Sequence, residues 1–316
     1  MKLLKRLFKI YSPSYKEGAM IQFIQGHCKQ IPGVDVSVDT IGNIYITKGK
    51  AEHYPCIVAH LDQVQKTHSN DFVAVETYDL IMGYSPLNKR QEGLGADDKN
   101  GIWIALKCLK KYDILKVAFF VGEEVGCVGS SKAWMEFFEN TRFVIQPDRR
   151  GSNDMVTSIG FTELCSEDFI ESTDYKGYGY DLSDGMFTDV LSLKEQGLPV
   201  SCINLSCGYY NPHTDYEIVV KEDLINCLAF VEHIIEKCTQ PYPHEYREEY
   251  GFYRFGKEDD SDAEFEIWSY LDYNYPCISN ASDLMTVFKG EFPTWTEEDY
   301  ERIIEEHELY MNENML

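Results

Sequence analysis

Four short apolar runs constrain the fold of this chain more than any other feature: CIVAH (56–60), KVAFFVGEE (116–124), RFVIQPD (142–148) and PVSCINL (199–205). Each is rich in Val, Ile and Phe and reads as a buried strand. Helical patterns lie between them, at 99–111, 129–139, 185–196 and 222–237. Strands alternating with helices predict an α/β fold: a mainly parallel central sheet flanked by helices in a three-layer sandwich. Upstream, Leu3, Leu4, Leu7 and Phe8 fit one face of a short helix, and AMIQFIQGHCKQI reads as a second helix. VDVSVDTIGNIYITKG then alternates apolar and polar residues around Thr40, Gly42 and Asn43, a hairpin pattern.

No apolar run approaches the roughly 20 residues needed to span a membrane. The start, MKLLKRLFKIYSPS, has no uninterrupted apolar stretch and is not read as a signal peptide. Ten cysteines occur without a CxxC pair, which points to free thiols in a reducing cytoplasm. The net charge is −24, and twenty acidic against five basic residues between 241 and 316 carry −15 of it. Such acidity speaks against a nucleic-acid partner, because phosphate contacts need basic patches. The acidic segment also holds sixteen aromatic residues, too many for a chain that stays solvated. The expected organisation is therefore a catalytic-sized domain over 1–240 and an acidic, aromatic-rich extension over 241–316, packed on the core or on a partner. Within that extension Thr296 reads as the N-cap of a helix, with Asp299 completing an acidic capping box and Tyr300, Ile303, Ile304 and Tyr310 or Met311 on its apolar face.

Polar residues follow each buried run. CIVAH ends in His60, with Asp62 two residues on; KVAFFVG runs into Glu123 and Glu124; RFVIQP ends in Asp148; and PVSCINL leads to a segment containing His213. In open α/β sheets ligands bind beyond the carboxyl ends of the strands, so one edge would collect two imidazoles and several carboxylates. Asp97 and Asp98, in GLGADDKNG ahead of a helix, can join them. Singly these features are ordinary: an aspartate before a helix is an N-cap, and adjacent glutamates usually lie on a solvated face. Unpaired charge next to a buried run is costly, however, and imidazole with carboxylate is the ligand set for zinc and similar ions.

In that order, AHLD, GADDKNG, GEEVG, QPD and NPHTDYE resemble the co-catalytic two-zinc exopeptidases and amidohydrolases, the superfamily of peptidase T, carboxypeptidase G2 and the zinc aminopeptidases. SPSYKEG and DTIGNIY resemble its lead-in segments, and the resemblance runs from about residue 5 to 238. It implies that His60 and Asp148 hold one divalent ion, Glu124 and His213 the other, and Asp97 both. It further implies that Asp62 orients His60, that Glu123 is the general base, and that the peptide bond after Asp97 is cis. The ions implied are zinc, with cobalt or manganese as alternatives.

Many members insert a second domain, a lid, between the ligands matched here by Asp148 and His213. The two stand only 65 positions apart in this chain, so a form without an inserted lid domain is expected. The function the resemblance implies is that of a metal-dependent exopeptidase acting on short peptides, foremost an aminopeptidase. An N-acyl-amino-acid amidohydrolase, a carboxypeptidase and an inactive binding module on the same fold are the alternatives; the intact ligand positions and Glu123 speak against the last. Arg149 and Arg150 are candidate clamps for a substrate carboxylate or ordinary surface ion pairs. Tyr209 and Tyr210 are candidate pocket residues or core residues.

Overall fold

The hairpin around Gly42 is formed by β1 (Val34–Val38) and β2 (Ile44–Lys48), paired antiparallel. Asp39 Oδ1 accepts the N–H groups of Ile41, Gly42 and Asn43 and so fixes the turn, with Gly42 at a φ of 110°. This turn needs glycine, because a side chain is strained at that φ. The structure, a computed structural model, describes residues 1–160, 162–245, 267, 270, 271, 280–288 and 295–314.

The four apolar runs are the four parallel strands at the centre of one large sheet: β3 (Tyr54–His60), β7 (Leu115–Phe120), β8 (Thr141–Arg149) and β12 (Cys202–Ser206). β9 (Asp154–Ile159), β10 (Thr162–Glu163) and β11 (Asp181–Gly185) extend the sheet on one side, and the hairpin extends it on the other. The order is β1-β2-β7-β3-β8-β12-β9-β10, with β11 on β9. β1, β2, β9 and β10 join antiparallel, so the sheet is mixed and mostly parallel at its core.

Both faces of that core are covered, which is why its strands read as continuous apolar runs. On one face Ile57, Ala59, Val117 and Phe119 pack with α1 (Lys2–Phe8), α2 (Gly18–Cys28), α3 (Ala96–Lys111) and α6 (Lys221–Lys237). On the other, Cys56, Val58, Ala118 and Phe120 pack with Val190, Leu191 and Leu193 of α5 (Asp189–Glu195). Each fully buried aliphatic or aromatic side chain contributes about 1.5–3 kcal/mol. A helix absent from the sequence reading, α4 (Glu167–Thr173), is capped by Ser166, whose hydroxyl accepts Phe169 N–H.

One helical expectation fails. Residues 129–139 form two short 3-10 turns, Ser130–Lys132 and Met135–Phe138. Ala133 and Trp134 between them are extended, and the Trp134 N–H goes to the Tyr45 hydroxyl, so the helical ladder is broken there. Residues 185–188 are also outside a helix: Gly185 closes β11, and Thr188 is extended with its hydroxyl on Gln146.

A small antiparallel sheet was not read from the sequence. It is built by β4 (Val73–Glu76), β5 (Leu80–Ser85), β6 (Arg90–Glu92), β13 (Tyr209–Tyr210) and β14 (Ile218–Val220). β6 leads into the Asp97 loop, while β13 and β14 flank the His213 loop. The sheet therefore brings together two segments more than a hundred residues apart. The described residues between Asp148 and His213 lie within the same compact unit, and none of them forms an inserted lid domain.

That unit is Met1–Glu248, and Glu249–Leu316 forms a second. Residues 241–245 are stitched into the first. Tyr242 N–H donates to Arg142 O, Ser201 N–H donates to Tyr242 O, and the ammonium of Lys194 donates to His244 O. In the second unit α7 (Ala281–Val287) and α8 (Glu297–Asn314) bury Leu284, Phe288, Tyr300, Ile303 and Ile304 together. Thr296 N–H and Oγ1 both donate to Asp299 Oδ2, the reciprocal half of a capping box. The side chains of Tyr310 and Met311, also expected on this face, lie outside the described residues.

Candidate metal centre

The parallel strands end side by side, and their polar followers meet there. His60 is the last residue of β3, Asp148 is next to last in β8, and Glu123 and Glu124 sit in the turn after β7. The backbone enters that turn through Gly122, at a φ of 62°. Asn43 braces it: its Oδ1 accepts Val121 N–H and its Nδ2 donates to Gly129 O.

All seven residues singled out in the sequence converge. His60 Nε2 lies 2.9 Å from Asp97 Oδ1 and 3.4 Å from Asp148 Oδ1. His213 Nε2 lies 3.2 Å from Asp97 Oδ2 and 3.1 Å from Glu124 Oε2. Asp97 thus turns one oxygen to each imidazole. Glu123 Oε2 is 3.9 Å from His60 Nε2, and its side chain is 14% exposed against 0–6% for the six others. Asp62 lies behind His60, with Oδ1 3.3 Å from Nδ1. It also accepts Ser14 Oγ at 2.7 Å and the N–H groups of Glu123 and Glu124.

The adjacent aspartates have different tasks. The Asp97–Asp98 peptide bond is cis, and both residues are non-helical within α3. Asp98 Oδ1 accepts Gly101 N–H three residues on, so Asp98 is the N-cap of the regular helix. Its Oδ2 accepts His60 N–H, which ties the helix start to the end of β3. Asp97 is left to face the imidazoles.

The buried carboxylates and imidazoles perturb one another strongly. Burial, reinforced by Asp148, pushes the Asp98 carboxyl well above the ordinary carboxylate range; burial also lifts Glu123, Glu124 and Asp148. Burial opposes a charged His60, yet Asp148 and Glu123 outweigh it and hold its pKa well up. Burial likewise opposes ionised Asp97, but His213 and His60 draw it well below the usual range. Glu124 Oε1 is buried without a hydrogen-bond partner, an unfavourable state for an oxygen that no cation shares. Candidate ligand atoms of His60, Asp97 and Glu124 lie within 4.8 Å of one another, as do those of His60, Asp98 and Asp148. Imidazole nitrogen with carboxylate oxygen, and a buried Glu124 oxygen without a partner, fit divalent metal.

Three polar braces were not read from the sequence. Gln146 donates to Asp148 Oδ2 at 2.8 Å and to Asp189 Oδ2 at 3.2 Å, while its Oε1 accepts Thr188 Oγ1 and Val190 N–H. Glu17 Oε1 accepts Gly122 N–H. Glu217 accepts three backbone N–H groups of the Asp97 loop. Each lies in a quoted segment, Glu17 in SPSYKEG, Gln146 in QPD and Glu217 in NPHTDYE, but residue type and spacing give none of them a partner until the fold buries it. Among the residues left open, Arg149 pairs with Asp154 at 2.7 Å. Tyr209 is buried in the core, and Tyr210 donates its hydroxyl to Asp223.

No protein-family model matches the chain, and no curated protein matches it. Solved structures do resemble it. An aminopeptidase PepT from Bacillus cereus is similar with a TM-score of 0.62 at 15% identity, over 76% of this chain and 98% of that one. A tripeptidase from Staphylococcus aureus gives 0.58 at 15% identity, over 74% and 96%. The TET1 peptidase of Pyrococcus horikoshii gives 0.53 at 15% identity, over 74% and 98%. The chain has the fold of these peptidases.

Proposed function

We propose that this chain is a metal-dependent exopeptidase that removes residues from the free N terminus of short peptides. The observation that carries the reading is Asp97, which turns one carboxylate oxygen to the His60–Asp148 pair and the other to the His213–Glu124 pair. His60 and Asp148 would hold one divalent ion, Glu124 and His213 the second, and Asp97 both; zinc suits the donors, with cobalt or manganese as alternatives. When bound, such a pair supplies Lewis acidity, acidifying a water and polarising a carbonyl.

The chain's own residues supply the rest. Glu123 is the most exposed acid of the centre and belongs to neither ligand pair, so its Oε2 is free to take a proton from water and return it to the departing amine. Asp62 keeps Glu123 in place through its backbone and keeps the ring of His60 oriented. Ser14 in turn fixes Asp62.

A free N terminus is favoured by charge. The centre is lined by carboxylates, which attract an α-ammonium, whereas a terminal carboxylate needs a cation. Arg149, adjacent to Asp148, is committed to Asp154. The test is a pair of short peptides offered to the zinc- or cobalt-loaded protein, one N-acetylated and one C-amidated. Cleavage of the amidated peptide alone is expected. Cleavage of the acetylated peptide alone would make the chain a carboxypeptidase, and cleavage confined to acetyl-amino acids would make it an amidohydrolase.

A further inference from the structure

Glu217 is a fully buried carboxylate that the proposed chemistry does not use. Its Oε2 accepts Gly95 N–H at 2.6 Å and Gln65 Nε2 at 3.2 Å. Its Oε1 accepts Ala96 N–H at 2.9 Å and Asp97 N–H at 3.3 Å. Each oxygen therefore receives two donors, and three of the four are consecutive backbone amides of the loop that ends in Asp97. Gly95 makes this cradle possible: it adopts left-handed φ 61°, ψ 44°, which turns successive N–H groups toward one anion.

The carboxylate arrives from the segment that carries His213. The two loops are in close contact beyond this one residue, since a Cβ on Gly93 would lie 2.6 Å from Thr214 O. Gln91 Nε2 also donates to Glu217 O. Glu217 therefore joins the loop of Asp97 to the loop of His213, and Asp97 is the residue whose two oxygens reach His60 and His213.

We infer that Glu217 is the positioning residue that sets Asp97 between the two imidazoles, so that the affinity of the centre for its ions depends on a carboxylate that is not a ligand. The inference rests on the metal reading of the centre. The substitution that tests it is Glu217→Gln, which keeps size but puts an amide N–H₂ against at least one backbone donor.

The experiment uses the full chain in two measurements. Zinc affinity is read by competition with a chelating dye, without peptide. Amide hydrogen exchange is read on the metal-free protein. Glu217→Gln is expected to weaken zinc binding by roughly 10–100-fold, the range seen when a group supporting a ligand is lost. Exchange should quicken at Ala96 and Asp97 and stay unchanged from Ile102 onward in α3. Zinc affinity within twofold of the unsubstituted protein overturns the inference, as does faster exchange spread through α3 and the central strands, which marks a general structural role. Should Glu217→Gln fail to fold, Gln65→Met removes one of the four donors and so loosens the hold of Glu217 on the Gly95–Asp97 amides. Weaker zinc binding is again expected, and unchanged affinity overturns the inference. Absence of zinc binding by the unsubstituted chain would instead remove the metal reading on which it rests.

Discussion

Asp62 holds Glu123 by its backbone: the Glu123 N–H donates to Asp62 Oδ1 at 3.0 Å, the same oxygen that lies 3.3 Å from His60 Nδ1. One buried carboxylate thus sets an imidazole and the turn that carries the proposed base. Asp62→Asn keeps the shape but replaces one oxygen by a donor that faces other donors. Zinc affinity should fall roughly 10–100-fold, and turnover at saturating zinc should stay reduced because the Glu123 turn is loosened. Dye competition and a peptide assay at excess zinc separate the two effects; full recovery of turnover would confine Asp62 to the metal.

Glu123→Gln tests the base separately from the ligands. The variant should bind metal as the unsubstituted chain does and lose about 10²–10⁴-fold in kcat, the usual contribution of general acid–base catalysis. Metal analysis and turnover on one preparation decide it. Near-normal kcat would assign proton transfer elsewhere.

His213→Ala removes a proposed ligand from one pair and leaves His60 and Asp148 untouched. The expected stoichiometry after metal loading and gel filtration is one ion per chain instead of two. Elemental analysis is the measurement, and two retained ions would show that His213 is not needed.

The end of the first unit can be tested by truncation. A chain ending at 239 lacks Tyr242, which is buried against Phe169, and His244, whose carbonyl accepts the buried ammonium of Lys194. A chain ending at 248 keeps both. Loss of a buried aromatic alone costs about 3–5 kcal/mol, and an under-coordinated buried ammonium adds to it. Urea unfolding should find 1–239 less stable than 1–248 by at least that amount. Equal midpoints would make residues 240–248 dispensable.

The sequence by itself determined the elements whose pattern is local. β3, β7, β8 and β12 are continuous apolar runs because helices cover both faces of the sheet, and that shows in composition alone. The site was legible for a related reason. His60, Glu123, Glu124 and Asp148 each follow or end such a run, so a parallel arrangement delivers them to one edge. The neighbouring aspartates, Asp97 and Asp98, stood out because one N-cap explains only one of them, and Asp98 is that N-cap.

Tertiary structure alone decided features whose partners are distant in the chain. Residues 129–139 carry a helical pattern, yet the Trp134 amide is taken by the hydroxyl of Tyr45, 89 positions away. The short strands β4, β5, β13 and β14 are stable only as a sheet assembled from two remote segments. Gln146 and Glu217 acquire their tasks only when Asp148, Asp189 and the Gly95–Asp97 amides surround them. Residue type and periodicity report what a position prefers to be near, water or apolar surface. Which particular donor meets which acceptor is settled only when the chain closes on itself, and the carboxylates and amides that hold this centre in place belong to that second kind of information.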